Sequence, residues 1–281
     1  MPKKSELIPR LITSGIGIPA LAALIMLAPH WGFFLFVLFI SAICIWEFCS
    51  ITFSDEHPPG RIFAIVIGLA TMTLVYFDPY LTPDMLLPSL AGAVLAIFLF
   101  YLFFFRDQSR VTHHIGSSIT AIIYGGLLLL FLPMMTRDLQ GGGMWVLMAI
   151  ALVWSSDSGA YFTGNFFGKR KLYKSVSPNK SVEGSAGGLV ATILFAFAFD
   201  ALFTVLSPDN WTSLSPLQVL ALAIPANILG QCGDLVESLI KRAHDVKDSG
   251  TIIYGHGGIL DRIDALFFAA PWVYYFAFYG V

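Results

Sequence analysis

Three polar segments interrupt an otherwise apolar sequence, and each carries side chains suited to phosphate or metal chemistry. The first runs from Gln231 to Arg242 and contains Gly233-Asp234-Leu235-Val236-Glu237-Ser238. On a helix, Asp234, Glu237, Ser238 and Lys241 fall at i, i+3, i+4 and i+7 and share one face, whereas Leu235, Leu239 and Ile240 lie elsewhere around it. Carboxylates and an ammonium then form one stripe, although a solvated amphipathic face with an i,i+4 ion pair would give the same pattern. The second segment is Lys247-Asp248-Ser249-Gly250, followed by Gly255-His256-Gly257-Gly258-Ile259-Leu260-Asp261-Arg262-Ile263-Asp264. Its glycines allow backbone N–H groups to approach an anion closely. Asp261 and Asp264, at i and i+3, put two carboxylates together where the last apolar run begins. Hard oxygen ligands of this kind suit Mg2+ with phosphates completing its shell, not zinc. His256 has no His or Cys at ligand spacing and reads as a hydrogen-bond donor.

The third segment is Gly168-Lys169-Arg170-Lys171-Leu172 with Ser177-Pro178-Asn179-Lys180-Ser181-Val182-Glu183-Gly184. Its basic half is explained by membrane topology alone. The second half is denser than a generic loop needs: Ser177 precedes a Pro, and Asn179, Lys180, Ser181 and Glu183 stand between that Pro and a Gly, just before a helix N-terminus that itself favours anions. Three acids sit at membrane depth, where each costs about 2.5–3.5 kcal/mol at a helix centre. Asp157 belongs to a polar patch, Ser155-Ser156-Asp157-Ser158-Gly159-Ala160-Tyr161, that could serve the chemistry or simply bond helix to helix. Glu47, between Trp46 and Phe48, is expected to be structurally paired. Asp200 is expected near the outer headgroups, with no further role.

The elements that hold these residues follow from composition. Of 281 residues, 57% are apolar and 12% charged, too few polar side chains to cover a soluble domain. A hydrocarbon core needs about 20 apolar residues per helix. About nine runs approach that length: 11–28, 31–52, 62–77, 87–105, 115–135, 144–163, 185–206, 217–232 and 265–281. The expected fold is therefore an all-α polytopic bundle, with residues 1–140 supplying N-terminal spans and 141–281 the spans that carry the chemistry. With the N-terminus inside, the inner segments hold 15 of the 16 Lys and Arg residues, and only Arg137 lies outside. The polar segments 155–184 and 233–264 then face the cytoplasm. Cys44, Cys49 and Cys232 lack metal-ligand spacing and read as reduced, small apolar residues.

Acids, bases and glycines gathered at one membrane face point to phosphoryl or nucleotidyl transfer, in which a divalent ion and Lys or Arg neutralise phosphate charge. A Walker-type GxxxxGK[ST] loop is absent. The stretch Ser238 to Asp264 resembles the phosphatidate cytidylyltransferase (CDP-diacylglycerol synthase) family. Ser238, Ile240, Lys241, Arg242, Lys247, Asp248, Gly250, His256, Gly257, Gly258, Ile259, Asp261, Arg262, Ile263 and Asp264 all fit its pattern. Residues 155–264 share the likeness, whereas the N-terminal half matches only as apolar spans; Tyr254 stands where the family usually has Pro or Gly.

The resemblance implies that CTP and phosphatidic acid give CDP-diacylglycerol and pyrophosphate, with Mg2+ as cofactor. Asp234, Lys241, Asp261, Arg262 and Asp264 are then the candidate catalytic residues. Asp234 and Asp261 lead as metal ligands, with Asp264, Glu237 and Asp157 as further ligands or orienters. Ser177, Asn179, Lys180, Ser181, Glu183, Arg242, Lys247, Asp248, Gly255, His256, Gly257 and Gly258 are candidates for substrate binding. The expected setting is a bacterial inner membrane with the site on its cytoplasmic side; a homodimer is left open, and no nucleic-acid partner is expected. Two alternatives compete: a CTP-dependent kinase of a lipid alcohol, which would call for a general base, and an ion-coupled transporter, which would spread acids through the membrane thickness.

Overall fold

The computed structural model describes residues 4–53, 58–78, 83–105, 107–207, 209–250 and 257–281. Each apolar run forms a helical rod: α1 (Lys4–Leu27), α2 (His30–Thr52), α3 (Pro58–Tyr76), α4 (Pro83–Phe104), α5 (Val111–Ile122) continuing into α6 (Leu128–Asp138), α7 (Gly142–Phe167), α8 (Val182–Leu206), α9 (Pro216–Ala243) and α10 (Leu260–Gly280). Six segments have the length and hydropathy of a membrane span: 30–52, 58–76, 85–104, 111–138, 182–206 and 216–243. The protein is thus an integral membrane helical bundle. Helix α7 and helix α10 carry the polar patches at Asp157 and Asp261 and fall outside that set.

Several helices start or end a few residues away from the apolar runs, α4 and α9 among them. Helix α4 starts at Pro83 and takes Pro88 into its interior. Helix α9 does not stop near residue 232 but runs unbroken to Ala243, so the acidic stripe is the polar end of a spanning rod. A capping box at Ser215 and Gln218 with Pro216 at the first helical position starts α9. Between α5 and α6 the rod contains a π-turn, Ile123–Leu127. It presses Gly125 onto the α2 backbone: a Cβ there would lie 3.1 Å from Ile45 N and 3.2 Å from the Cys44 carbonyl carbon.

A main core runs from Ile25 to Ala277, and a smaller one, Ile97, Tyr101 and Ile122, packs α4 against α5. Helix α7 and helix α8 pack closely enough that a Cβ on Gly188 would come within 2.9 Å of the Ser156 carbonyl oxygen, and one on Gly184 within 2.9 Å of that of Ala160. They are joined by an antiparallel ribbon of β1 (Lys171–Tyr173) and β2 (Ser177–Ser181).

At the far end, opposite the polar segments, Arg137 donates to Asp138 (2.6 and 2.9 Å) and to the carbonyl of Tyr76. Tyr274 of α10 donates to the same Asp138 at 2.8 Å. Arg137, the cation expected to lie outside, thus forms an internal clasp of α3, α6 and α10. Asp200, expected to need no account, is buried: it accepts from Trp211 Nε1 (2.9 Å) and Leu214 N (3.0 Å) and folds the 207–215 connection against α8. Cys44 and Cys49 are buried free thiols, whereas Cys232 is exposed.

Glycine spacing at the α7–α8 contact makes a contrast available. Gly188→Val should destabilise the protein by about 1–3 kcal/mol through overpacking. Gly92→Val, on a face of α4 with nothing within 4 Å of the added carbon, should not. Thermal unfolding of the two variants in detergent checks this.

Candidate active site

The site forms where α9 meets α10. Gly233 permits the approach: a Cβ there would lie 2.5 Å from the Asp264 carbonyl oxygen and 3.2 Å from Ala265 Cα. Asp234 is thereby brought beside the first turn of α10. Two turns along α9, Glu237 and Lys241 pair at 2.6 Å, and Lys241 Nζ reaches across to Asp261 Oδ1 at 2.7 Å. The second Asp261 oxygen accepts Ser249 N and Gly258 N, both at 2.9 Å. One ammonium is thus shared by two carboxylates, with side-chain exposures of 12% for Lys241, 2% for Glu237 and 10% for Asp261. Glu237 Oε1 is buried and has no hydrogen-bond partner among the described residues.

A cleft of about 330 Å³ opens over this cluster, lined by Trp154, Asp157, Asp234, Glu237, Lys241, Asp261, Arg262 and Asp264. A second cleft of about 490 Å³ lies beside it, between α7, α8, α9 and the ribbon; Tyr161, Asn165, Asn179, Lys180, Ser181 and Gln231 are among its walls. Asp157 and Asp234 line both clefts, so the two meet there. Lys180, reaching over from β2, makes an ion pair with Asp234 at this junction.

The structure therefore brings Asp157, Lys180, Asp234, Glu237, Lys241, Asp261, Arg262 and Asp264 together, with Asn179 and Ser181 in the adjoining cleft. The Ser155–Tyr161 patch divides between a helix contact and the cleft walls. Ser156 Oγ accepts from Asn227 Nδ2 at 2.8 Å inside a helix contact, while Asp157 and Tyr161 face the clefts.

Several expected binding residues have other work. Ser181 caps α8 by accepting from Gly184 N at 3.1 Å, and the Glu183 carboxylate accepts from Lys169 N and Arg170 N at 3.0 and 3.1 Å. The Gly258 N–H faces the chain's own Asp261 in place of an external anion. Ser177 begins β2, and Arg242, Lys247 and Asp248 are exposed; none of these four lines either cleft. Gly257 takes a positive φ of 81°, which the turn before α10 requires. Gly255 and His256 lie outside the described residues. Trp154, Asn165, Gln231 and Ser249 were not singled out from sequence; only the closeness of Ser249 to Lys247-Asp248 pointed to it.

The sequence profile of the cytidylyltransferase family matches residues 8–279. The chain belongs to that family. Phosphatidate cytidylyltransferase of Bacillus subtilis (strain 168) is 42% identical over 162 residues, 57% of this chain and 57% of that one. The enzyme of the same name from Haemophilus influenzae is 46% identical over 156 residues, 55% of this chain and 52% of that one. The chain thus matches about half the length of these two relatives. A likeness over nearly the whole chain is to the uncharacterised Escherichia coli (strain K12) protein YnbB, 31% identical over 271 residues, 94% of this chain and 85% of that one.

For a cytidylyltransferase-family protein with this buried cluster, Lys241→Met strands two carboxylates around an apolar side chain. Breaking such a pair from one side costs about 3–5 kcal/mol. Unfolding midpoints should fall sharply for Lys241→Met and recover in part when Glu237→Gln is added, because one stranded charge is then removed.

Proposed function

We propose that the protein transfers the cytidylyl group of CTP to phosphatidic acid, releasing pyrophosphate and forming CDP-diacylglycerol, at the cytoplasmic face of a bacterial inner membrane. The observation that carries this reading is the pair of clefts meeting at Asp157 and Asp234, at the polar end of membrane helices in a cytidylyltransferase-family chain. Two anionic substrates can lie side by side there, one reaching in from water and one from the headgroup layer. The Lys and Arg asymmetry along the sequence supports the cytoplasmic assignment.

Charge decides what else the site needs. Five carboxylates, Asp157, Asp234, Glu237, Asp261 and Asp264, line the acidic cleft against two cations, Lys241 and Arg262. A nucleoside triphosphate would be repelled from such a surface unless a divalent ion accompanied it. The donor set is all hard oxygen, and the buried, unpartnered Glu237 Oε1 is an acceptor in want of a cation. Among the described residues, no three His, Cys, Asp or Glu side chains close into a metal shell of their own. That suits Mg2+, which takes one or two carboxylates and completes its shell with water and substrate phosphates. Asp234 and Asp261 would hold it, with Asp264, Glu237 and Asp157 facing the same cleft to orient it, and it would supply neutralisation of phosphate charge.

The reaction asks little more of the protein than placement. An oxygen of the lipid phosphate, already ionised, attacks the α-phosphorus of CTP; the bond from that phosphorus to the bridging oxygen breaks, and its electron pair leaves with pyrophosphate. No general base is required, because the nucleophile carries no proton to remove. Lys180, at the junction of the clefts, and Arg262, at the rim of the acidic one, are placed to hold phosphate oxygens as charge shifts toward the leaving group. Asn179 and Tyr161 offer neutral donors in the adjoining cleft for the rest of a substrate.

Purified protein in detergent or vesicles, given labelled CTP, phosphatidic acid and Mg2+, should move label into the organic phase, and chelation of the ion should stop it. Asp234→Asn and Asp261→Asn should each lower the rate by about 100-fold or more while inserting normally. Transfer to a polyprenol instead of phosphatidic acid, or full activity in both variants, would refute the assignment.

A further inference from the structure

Glu47 lies in the N-terminal half, on α2, yet its carboxylate is buried against the polar segment that precedes α10. Oε1 accepts from Ile259 N at 3.1 Å; Oε2 accepts from Ser249 Oγ at 3.0 Å and from Leu260 N at 2.9 Å. Two glycines make room for it. A Cβ on Gly250 would stand 2.5 Å from Oε1, and one on Gly258 would collide with Oε2 and with Ser249 Oγ. Helix α10 has no side-chain cap of its own at Ile259, so Glu47 supplies from another helix the negative charge that a helix N-terminus favours. A buried carboxylate with three donors closed around it is a built contact and more than a tolerated acid.

The same segment holds Asp261. Ser249 donates its hydroxyl to Glu47 and its backbone N–H to Asp261, and Gly258, packed against Glu47, donates its N–H to Asp261. Asp261 in turn fixes Lys241. Helix α2 sits deep in the core, with Cys44, Ile45, Phe48 and Cys49 buried around Glu47, which makes it a stiff support. We infer that Glu47 is a positioning residue for Asp261: it ties the 249–260 segment to the rigid N-terminal half and thereby sets where the Asp261 carboxylate and its Lys241 partner stand. This rests on the proposed transferase reading for its kinetic consequence but not for its structural one.

The test compares wild type with Glu47→Gln, which keeps the shape and removes the charge, and with Ser249→Ala, which removes one of the three contacts and leaves Glu47 in place. Amide hydrogen exchange is the first readout. A cap acting on α10 alone predicts faster exchange only at Ile259 and Leu260. Positioning predicts that protection is also lost at Ser249 and Gly258, whose backbone N–H groups are bonded to Asp261 and not to Glu47. The second readout is the Mg2+ concentration giving half-maximal transfer, expected to rise about 10-fold or more in Glu47→Gln and by less in Ser249→Ala. Simple loss of folded protein would lower the rate and leave that concentration unchanged. Unaltered exchange at Ser249 and Gly258 together with an unaltered Mg2+ requirement would overturn the inference. Should Glu47→Gln fail to insert, Ser249→Ala decides by the same two readouts. A wild-type protein that transfers nothing to phosphatidic acid would defeat the proposed function, and the exchange pattern would still judge Glu47.

Discussion

A single ammonium group, Lys241, stands between two carboxylates at the end of a rod that is otherwise apolar. Charges removed from water must be matched locally or they unfold what holds them. That requirement accounts for much of the surrounding construction. Helix α9 must continue past its apolar stretch to carry Glu237 and Lys241; Gly233 must be bare so that α10 comes close enough to offer Asp261; and the connection before α10 must turn its N–H groups toward Asp261. The matching is incomplete on one side, where Glu237 Oε1 and the neighbouring Asp234, Asp264 and Asp157 leave the cleft with more negative than positive charge. A cleft left in that condition suits a polyanion that brings its own cation.

The helical rods were legible because period and hydropathy are local properties: each apolar run in the sequence has its helix, and the stripe Asp234, Glu237, Lys241 lies on one face as a 3.6-residue repeat requires. What could not be read was which partner each polar group would choose. Ser181 borders a cleft and also caps α8, because a capping hydroxyl and an anion-binding hydroxyl have the same chemistry, while the Glu183 carboxylate accepts the backbone N–H groups of Lys169 and Arg170. Gly258 looked like an anion cradle and is one, but the anion it holds is the chain's own Asp261. Asp200 was dismissed on its depth in the membrane, although a connection between helices needed an anchor there. Contacts such as these join residues far apart in sequence, and no local pattern encodes them.

The motifs legible in the sequence lie in residues 155–264, where the clefts are, and the first half could be taken for mere anchorage. The packing argues otherwise. The main core is continuous from Ile25 to Ala277, the π-turn lays Gly125 against α2, and a carboxylate from α2 ends in the loop that leads into the acidic cleft. The apolar half therefore shapes the polar one through direct bonds as well as by holding it in the bilayer. The divided roles within the Ser155–Tyr161 patch make the same point on a smaller scale: Ser156 stitches helices together so that Asp157, one residue on, is presented to solvent.

The clasp at the opposite end has a mechanical meaning. Arg137, Asp138, Tyr76 and Tyr274 satisfy one another among three helices, and His30 of α2 adds a contact to Tyr76 at 3.0 Å. Prising those helix tips apart would strand a guanidinium and a carboxylate beside hydrocarbon. Three rods that elsewhere meet through apolar side chains are here fastened by charge, so a change at any one of these four residues is felt by all three helices at once.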